Sequence, residues 1–175
     1  MEHVVEAEVG AIAFVGQCIE RLFDDADARL VAPVVGADIA WLLLLGAARN
    51  AAWCNQLLHS GSWRGISPTD RLGVGVEGKT LLIVGAGRIG TAVAQRAQGW
   101  RMEILYYSRS RNRELEEGGV NARRVALDDG LKQADFVSIH CPLTVDTKHL
   151  FDKPRFAVMK TGAILINTSR GAVVD

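Results

Sequence analysis

Thr80-Leu81-Leu82-Ile83-Val84-Gly85-Ala86-Gly87-Arg88-Ile89-Gly90 is the stretch on which the fold turns. A short apolar run opens it and has the length of a buried strand. Glycines at the spacing G-x-G-x-x-G follow at once. Ile89–Gln98 then carries Ile89, Val93, Ala94 and Ala97 at helical spacing, and Gly99 supplies a stop. The glycine pattern is weak alone and far stronger between a strand and a helix. Gly85 suits a tight turn, Gly87 lets the backbone approach a pyrophosphate, and Gly90 lets helix and strand pack closely. The start of the helix offers unpaired N–H groups and the positive end of its dipole to an anion, with Arg88 standing there as well. The plainer alternative is a glycine turn that holds no ligand.

Working outward, strand and helix patterns alternate. Met102–Tyr107 reads as a second strand, Arg113–Glu117 as a short helix, Val120–Ala126 as a weak third strand, and Asp128 as the start of another helix. Phe136–His140 reads as a fourth strand. Asp152 before Lys153-Pro154 looks like an N-cap, with a helix running to Met159, and Ala163–Asn167 is a fifth strand. This order predicts an α/β fold: a Rossmann-type doubly wound parallel sheet, incomplete, preceded by a long apolar helix. That helix is expected from Asp38, as N-cap, to about His59, with Gly61 beyond it. It is apolar on one face through Ile39, Leu42, Leu43 and Gly46, and on another through Trp41, Leu44, Leu45 and Ala48. Such a helix is usually covered on both sides. Val9–Val15 could be a strand or a helical turn. Residues 1–36 have no assigned role, a remnant of a substrate domain being one reading, and residues 37–175 are expected to be one nucleotide-binding domain.

Composition narrows the function. The 175 residues suffice for about one domain. Lys and Arg number 20 against 20 Asp and Glu, so a basic nucleic-acid surface is not expected. Cys18, Cys54 and Cys141 are scattered, without a C-x-x-C, which points to neither a zinc knuckle nor a disulfide framework; no metal site is expected. The apolar stretch Leu30–Ala48 is interrupted by Pro33 and Asp38. Its uninterrupted part is shorter than the ~20 residues a span needs, so a buried helix is expected rather than a membrane anchor. The first residues, Met-Glu-His-Val-Val-Glu, lack the basic start of a signal peptide, and a cytoplasmic location is the expectation.

Which dinucleotide would sit on the loop depends on the end of the second strand. An NAD site usually carries Asp or Glu there, bonded to the ribose 2′-hydroxyl. This chain has Ser108-Arg109-Ser110-Arg111 instead. A carboxylate would repel a 2′-phosphate, whereas Arg and Ser can bond to it. NADP(H) is therefore favoured, with NAD(H) left open.

GAGRIGTAVAQRAQGW, YYSRSR, ADFVSIHCPLTVDTKHLF and MKTGAILINTSRGAVVD, in this order, resemble the nucleotide-binding domain of the D-isomer-specific 2-hydroxyacid dehydrogenases. The glyoxylate/hydroxypyruvate reductase branch is the nearest likeness. The resemblance covers about residues 37–175, including the WRG-x-SPT loop at Trp63–Thr69. It implies that Gly85, Gly87, Arg88, Ile89 and Gly90 form the pyrophosphate loop, and that Ser108, Arg109 and Ser110 contact the adenosine ribose. It also implies that Cys141, Pro142, Leu143 and Thr147 line the cofactor, and that Thr168, Ser169 and Arg170 lie beside the nicotinamide. Arg170 matches the arginine that binds the substrate carboxylate and polarises the ketone. A guanidinium fork suits both tasks, since a 2-oxo acid presents a planar carboxylate beside a carbonyl. The resemblance further implies a small 2-oxo or 2-hydroxy acid as substrate and a homodimer built on the apolar helix.

In the family a His oriented by a Glu donates the proton, and both lie beyond the arginine motif. The sequence through Asp175 carries Arg170 but not that pair, which gives the expectation of a truncated domain that binds cofactor and reduces 2-oxo acids negligibly. His140 and His149 are expected to be packing or loop residues, and Asp135 a cap or turn residue. Two functions stay open: a hydride-transferring oxidoreductase domain, and a non-catalytic nucleotide-binding or dimerisation module.

Overall fold

The computed structural model describes residues 11–14, 25–65 and 72–175, with side chains from residue 33 onward. Cys18, His3, most of the acidic N-terminal residues and residues 66–69 of the Trp63–Thr69 loop lie outside the described residues. The chain runs β1 (Ala11–Phe14), α1 (Asp25–Ala48), α2 (Ala51–His59), β2 (Thr80–Val84), α3 (Arg88–Ala97), β3 (Glu103–Tyr107), α4 (Arg113–Glu117), β4 (Arg123–Arg124), α5 (Leu127–Gln133), β5 (Phe136–Ile139), α6 (Lys153–Val158) and β6 (Ile164–Asn167).

All strand pairings are parallel, in the order β1-β6-β5-β2-β3-β4. From β2 the chain winds outward through β3 to β4, then returns to the other side of β2 for β5 and β6. The winding reverses between β2 and β5, and a crevice opens there at the carboxyl ends of the strands. Alternate strand residues serve opposite layers. Leu81 and Ile83 pack with Trp41, Leu44, Val93 and Ala94 under α1 and α3. Leu82 and Val84 pack with Leu127, Leu131, Phe151 and Met159 under α5 and α6.

Three sequence expectations are corrected. The apolar helix is two helices, α1 and α2, bent by 67° across Arg49–Asn50. Asn50 has φ 56°, a left-handed conformation that Asn tolerates better than most residues. Asp38 is not an N-cap: α1 starts at Asp25 and runs through Pro33, and Asp38 lies inside it, paired with Arg96 at 3.0 Å. The Val120–Ala126 strand is reduced to Arg123–Arg124. Within the otherwise unassigned residues 1–36, Ala11–Phe14 joins the sheet as an edge strand beside β6.

The faces of α1 also separate. Ala37, Ala40, Trp41, Leu44 and Ala48 are buried, whereas Leu42 is 70% exposed. Trp41 donates its indole N–H to the Val93 carbonyl at 3.1 Å and stacks on Trp100. Among the described residues no single helix is long and apolar enough to cross a membrane.

Candidate functional site

The glycine loop leaves β2 at the crevice. Gly85 has φ 100°, and a Cβ there would lie 2.5 Å from the Cys141 amide nitrogen. No other residue fits without moving the backbone of the neighbouring loop. A Cβ on Gly90 would run into the Gly85 carbonyl oxygen and stand 2.9 Å from Ile83 Cγ2. Gly87 differs: a Cβ there would meet nothing within 4 Å. It is the N-cap of α3, it is exposed, and its backbone conformation is extended. Open space thus lies over the first turn of α3, whose amides have no intrahelical partners. Such a cradle fits a pyrophosphate. Arg88 is exposed at the same end, while Ile89 is half-buried, its side chain packed toward Gly36 of α1. A cleft of about 530 Å³ runs from Pro33 and Val34 past Ala86, Gly87, Arg88 and Thr91 to Asn112.

Sequence reading missed Asn112. Its side-chain amide donates to the Ala86 carbonyl at 2.9 Å and to Thr91 Oγ1 at 3.0 Å. Its Oδ1 accepts from the Leu115 amide and caps α4. The Asn112 amide donates to the Tyr106 hydroxyl at 3.0 Å, and that hydroxyl donates to Glu116 at 2.5 Å. Arg111 is bound to the same Glu116 carboxylate and lies 3.6 Å from Glu117. The Tyr106 hydroxyl and Arg111 hold the Glu116 carboxyl below its ordinary range. Burial, helped by the bond to Glu116, pushes the Tyr106 phenol up.

Ser108, Arg109 and Ser110 follow β3 on the same edge, Ser108 half-buried and the other two exposed. Arg124 was also missed. From β4 its Nη2 donates to the carbonyls of Ser108 and Arg109, both at 2.9 Å.

Across the crevice, Cys141 is buried against Gly85, and its burial pushes the thiol up. Pro142 and Leu143 are exposed beyond it. Thr147 folds this loop, its hydroxyl donating to the Pro142 carbonyl at 2.6 Å and accepting from the Thr144 amide at 2.7 Å. His140 bridges two strands. Its Nε2 is 2.8 Å from Ser138 Oγ and its Nδ1 is 3.1 Å from Thr168 Oγ1. Burial depresses the imidazole to about 4. His149, in the loop, lies 3.3 Å from the Asp175 carboxylate, both exposed.

Asn167, fully buried at the end of β6, shapes the turn that follows. Its Oδ1 accepts from the Ser169 amide at 3.0 Å and the Ser169 hydroxyl at 2.9 Å, and its amide donates to the Arg170 carbonyl at 3.0 Å. Arg170 emerges from this turn exposed, its Nη1 bonded to the Ser169 carbonyl at 3.1 Å. Asp135 lies at the opposite, amino-terminal edge. It accepts from the Thr80 amide at 2.9 Å and pairs with Lys160 at 3.0 Å. Burial alone would raise its carboxyl, but those partners hold it below the ordinary value. Among the described residues no group of three or more His, Cys, Asp or Glu is placed to hold a metal ion.

The profile of the D-isomer specific 2-hydroxyacid dehydrogenase NAD binding domain matches residues 41–175. A glyoxylate reductase from Thermococcus litoralis is 49% identical over 143 residues, 79% of this chain and 43% of that enzyme. The chain spans less than half the length of the curated relatives it matches. Among solved structures, the TT0316 protein from Thermus thermophilus superposes with a TM-score of 0.77 at 36% identity, over 88% of this chain and 52% of that one. D-lactate dehydrogenase from Aquifex aeolicus, solved with NAD and lactic acid, gives 0.74 at 31%, over 82% and 42%. The winding of the sheet, the glycine loop at its switch point and these matches agree: the chain belongs to the D-isomer-specific 2-hydroxyacid dehydrogenase family, of which it carries the NAD-binding domain.

Proposed function

We propose that residues 37–175, with β1 as an edge strand, are the dinucleotide-binding domain of a reductase that takes NADP(H) in preference to NAD(H) and acts on glyoxylate, hydroxypyruvate or a similar small 2-oxo acid. The observation that carries the cofactor choice is the Ser108-Arg109-Ser110 turn at the carboxyl end of β3, with hydroxyls and a guanidinium where an acid would select NAD. Gly85, Gly87, Gly90 and the α3 amides would hold the pyrophosphate, with Arg88 beside them. Cys141, Pro142, Leu143 and Thr147 would line one wall, and Thr168 and Ser169 the nicotinamide side. When bound, the nicotinamide supplies the hydride that converts a ketone to an alcohol. Arg170, presented by the Asn167 turn, would bind the substrate carboxylate and steady the negative charge that grows on the carbonyl oxygen. The glyoxylate reductase likeness supports the substrate class.

One observation favours a second reading, a module that binds nucleotide without turnover. Hydroxyls flank both ring nitrogens of His140, and the ring is held neutral, so it is a poor proton donor. A homodimer through α1 and α2 belongs to either reading. Titration with NADPH and NADH, followed by NADPH oxidation with glyoxylate, tests the proposal. Tighter NADPH binding is expected, and Arg109→Ala should weaken NADPH alone by about 1–3 kcal/mol. Binding without turnover above a buffer control selects the second reading, and equal loss of both cofactors in the variant rules out a 2′-phosphate role for Arg109.

A further inference from the structure

Three arginines crowd the carboxyl edge beside β3, and they are not equivalent. Arg111 is drawn into a closed set of charges with Glu116 and Glu117, and Glu116 is itself bound to Tyr106. Its charge is met inside the protein. Arg109 lies on the exposed turn, and its side chain makes no hydrogen bond or ion pair among the described residues. Arg124 comes from the neighbouring strand, level with Tyr106 in the β3–β4 register. Its Nη2 spans the carbonyls of Ser108 and Arg109, which sets the peptide planes of the turn. A guanidinium has five N–H donors. Two bonds to carbonyls leave Nε and Nη1, which have no hydrogen-bond partner among the described residues. Arg124 is exposed, and no carboxylate among the described residues lies within 4 Å of it, although its charge helps to hold the Glu116 carboxyl down from a distance. Its neighbour Arg123 makes the contrast. It pairs instead with Glu103 at 3.2 Å and Gln133 at 2.9 Å, away from the turn.

We infer that Arg124 is a specificity-determining residue: it holds the Ser108–Arg109 turn by two carbonyls and presents its remaining N–H donors, together with Arg109, to a phosphate on the 2′-position of the ribose. Arg111 takes no part. This inference rests on the dinucleotide reading above and concerns the same site. The chemistry recognised is a phosphate monoester on an adenosine ribose, which NADPH has and NADH lacks. A guanidinium fork matches that group, and charge-assisted bonds of this kind are the strong ones. The Arg124 side chain is solvent-facing and off the core, so its removal should not unfold the domain.

The test compares dissociation constants for NADPH and NADH, and for 2′,5′-ADP and 5′-AMP, by fluorescence or calorimetric titration. The proteins are the natural chain, Arg124→Ala, Arg124→Lys, Arg111→Ala and Arg123→Ala. Arg124→Ala should weaken NADPH and 2′,5′-ADP about tenfold or more, with NADH and 5′-AMP changed less than about twofold. Arg124→Lys keeps a charge without the fork and should fall between. Arg111→Ala and Arg123→Ala should leave the NADPH-to-NADH ratio within about twofold of the natural chain. The inference is judged on the change in that ratio, and the cofactor reading on the ratio of the natural chain, so the two can fail separately. Equal loss of all four ligands in Arg124→Ala would make the residue a mere brace for the turn and overturn the inference. No loss would overturn it too, as would a ratio shifted more by Arg111→Ala. A natural chain that binds none of the four would overturn both readings.

Discussion

Gly87 and Gly90 stand three positions apart and are glycine for opposite reasons. Space at Gly90 is already filled by the Gly85 carbonyl and Ile83, whereas space at Gly87 is open, as the proposed phosphate site requires. Gly90→Ala should therefore cost stability, toward the upper end of the about 1–3 kcal/mol typical of overpacking. Gly87→Ala should change stability by less than about 1 kcal/mol, because its conformation suits any residue, and should weaken dinucleotide binding. Urea melts beside a cofactor titration check the pair, and a stable Gly87→Ala that binds normally would remove the loop from the site. His140 makes a different prediction. Its imidazole is depressed to about 4, so between pH 6.5 and 4 the unfolded chain takes up a proton that the folded chain refuses. Stability conferred by the neutral ring is complete above pH 6.5 and falls as pH drops toward 4, by up to about 3 kcal/mol. Melts at pH 7, 5.5 and 4.5 should show this decline in the natural chain and a shallower one in His140→Asn. Parallel declines would mean that the ring is not the group responsible.

At the level of elements, Asn112 ties the glycine loop to α3 and α4 through one side chain. Asn112→Ala removes a helix cap, one bond to the glycine loop and one to α3, so a loss of about 1–3 kcal/mol is expected in denaturant melts. Its tether runs to Ala86, beside the proposed phosphate site, and not to the Ser108–Ser110 turn. NADPH and NADH should accordingly weaken by equal factors, and a selective loss would contradict the assignment. Such long-range bonds mark the limit of what could be read in the sequence. The strands at Thr80–Val84, Phe136–Ile139 and Ile164–Asn167 were legible because a strand buried on both faces must be a short apolar run. The glycine loop was legible because its chemistry is local. Asn112 reaches Ala86 across 26 positions and Arg124 reaches Ser108 across 16, and no local pattern announces either. The break at Asn50 was hidden for another reason: apolar spacing continues through it, and neither Gly nor Pro marks it. Asp38 looked like a cap because an acid before an apolar run is the usual start, but α1 had already begun at Asp25.

For the molecule as a whole, parallel winding gathers the loops after β2, β3, β5 and β6 at one edge, so residues remote in sequence converge there. The helices that cover the sheet leave a second surface with different chemistry. One side of α1 is closed within the chain through Trp41 and Leu44, which removes those residues from any partner interface. The opposite side keeps Leu42 at 70% exposure, and α2 keeps Leu58 at 59%, with no buried residue of its own. An isolated exposed leucine is unremarkable, but a helix whose best-covered residues, Trp53, Cys54 and Leu57, are only half-buried gains little from its own chain. A second copy laid along α1 and α2 would cover these leucines, and this is the contact expected if the proposed homodimer forms. Leu42→Glu with Leu58→Glu should leave the domain folded, since neither side chain is in the core, and should shift sedimentation from dimer to monomer. Charges desolvated on both sides of a symmetric interface act twice, so the shift should be large at micromolar protein. A natural chain that already sediments as a monomer would end the dimer reading, and a double variant that remains dimeric would move the interface away from these helices.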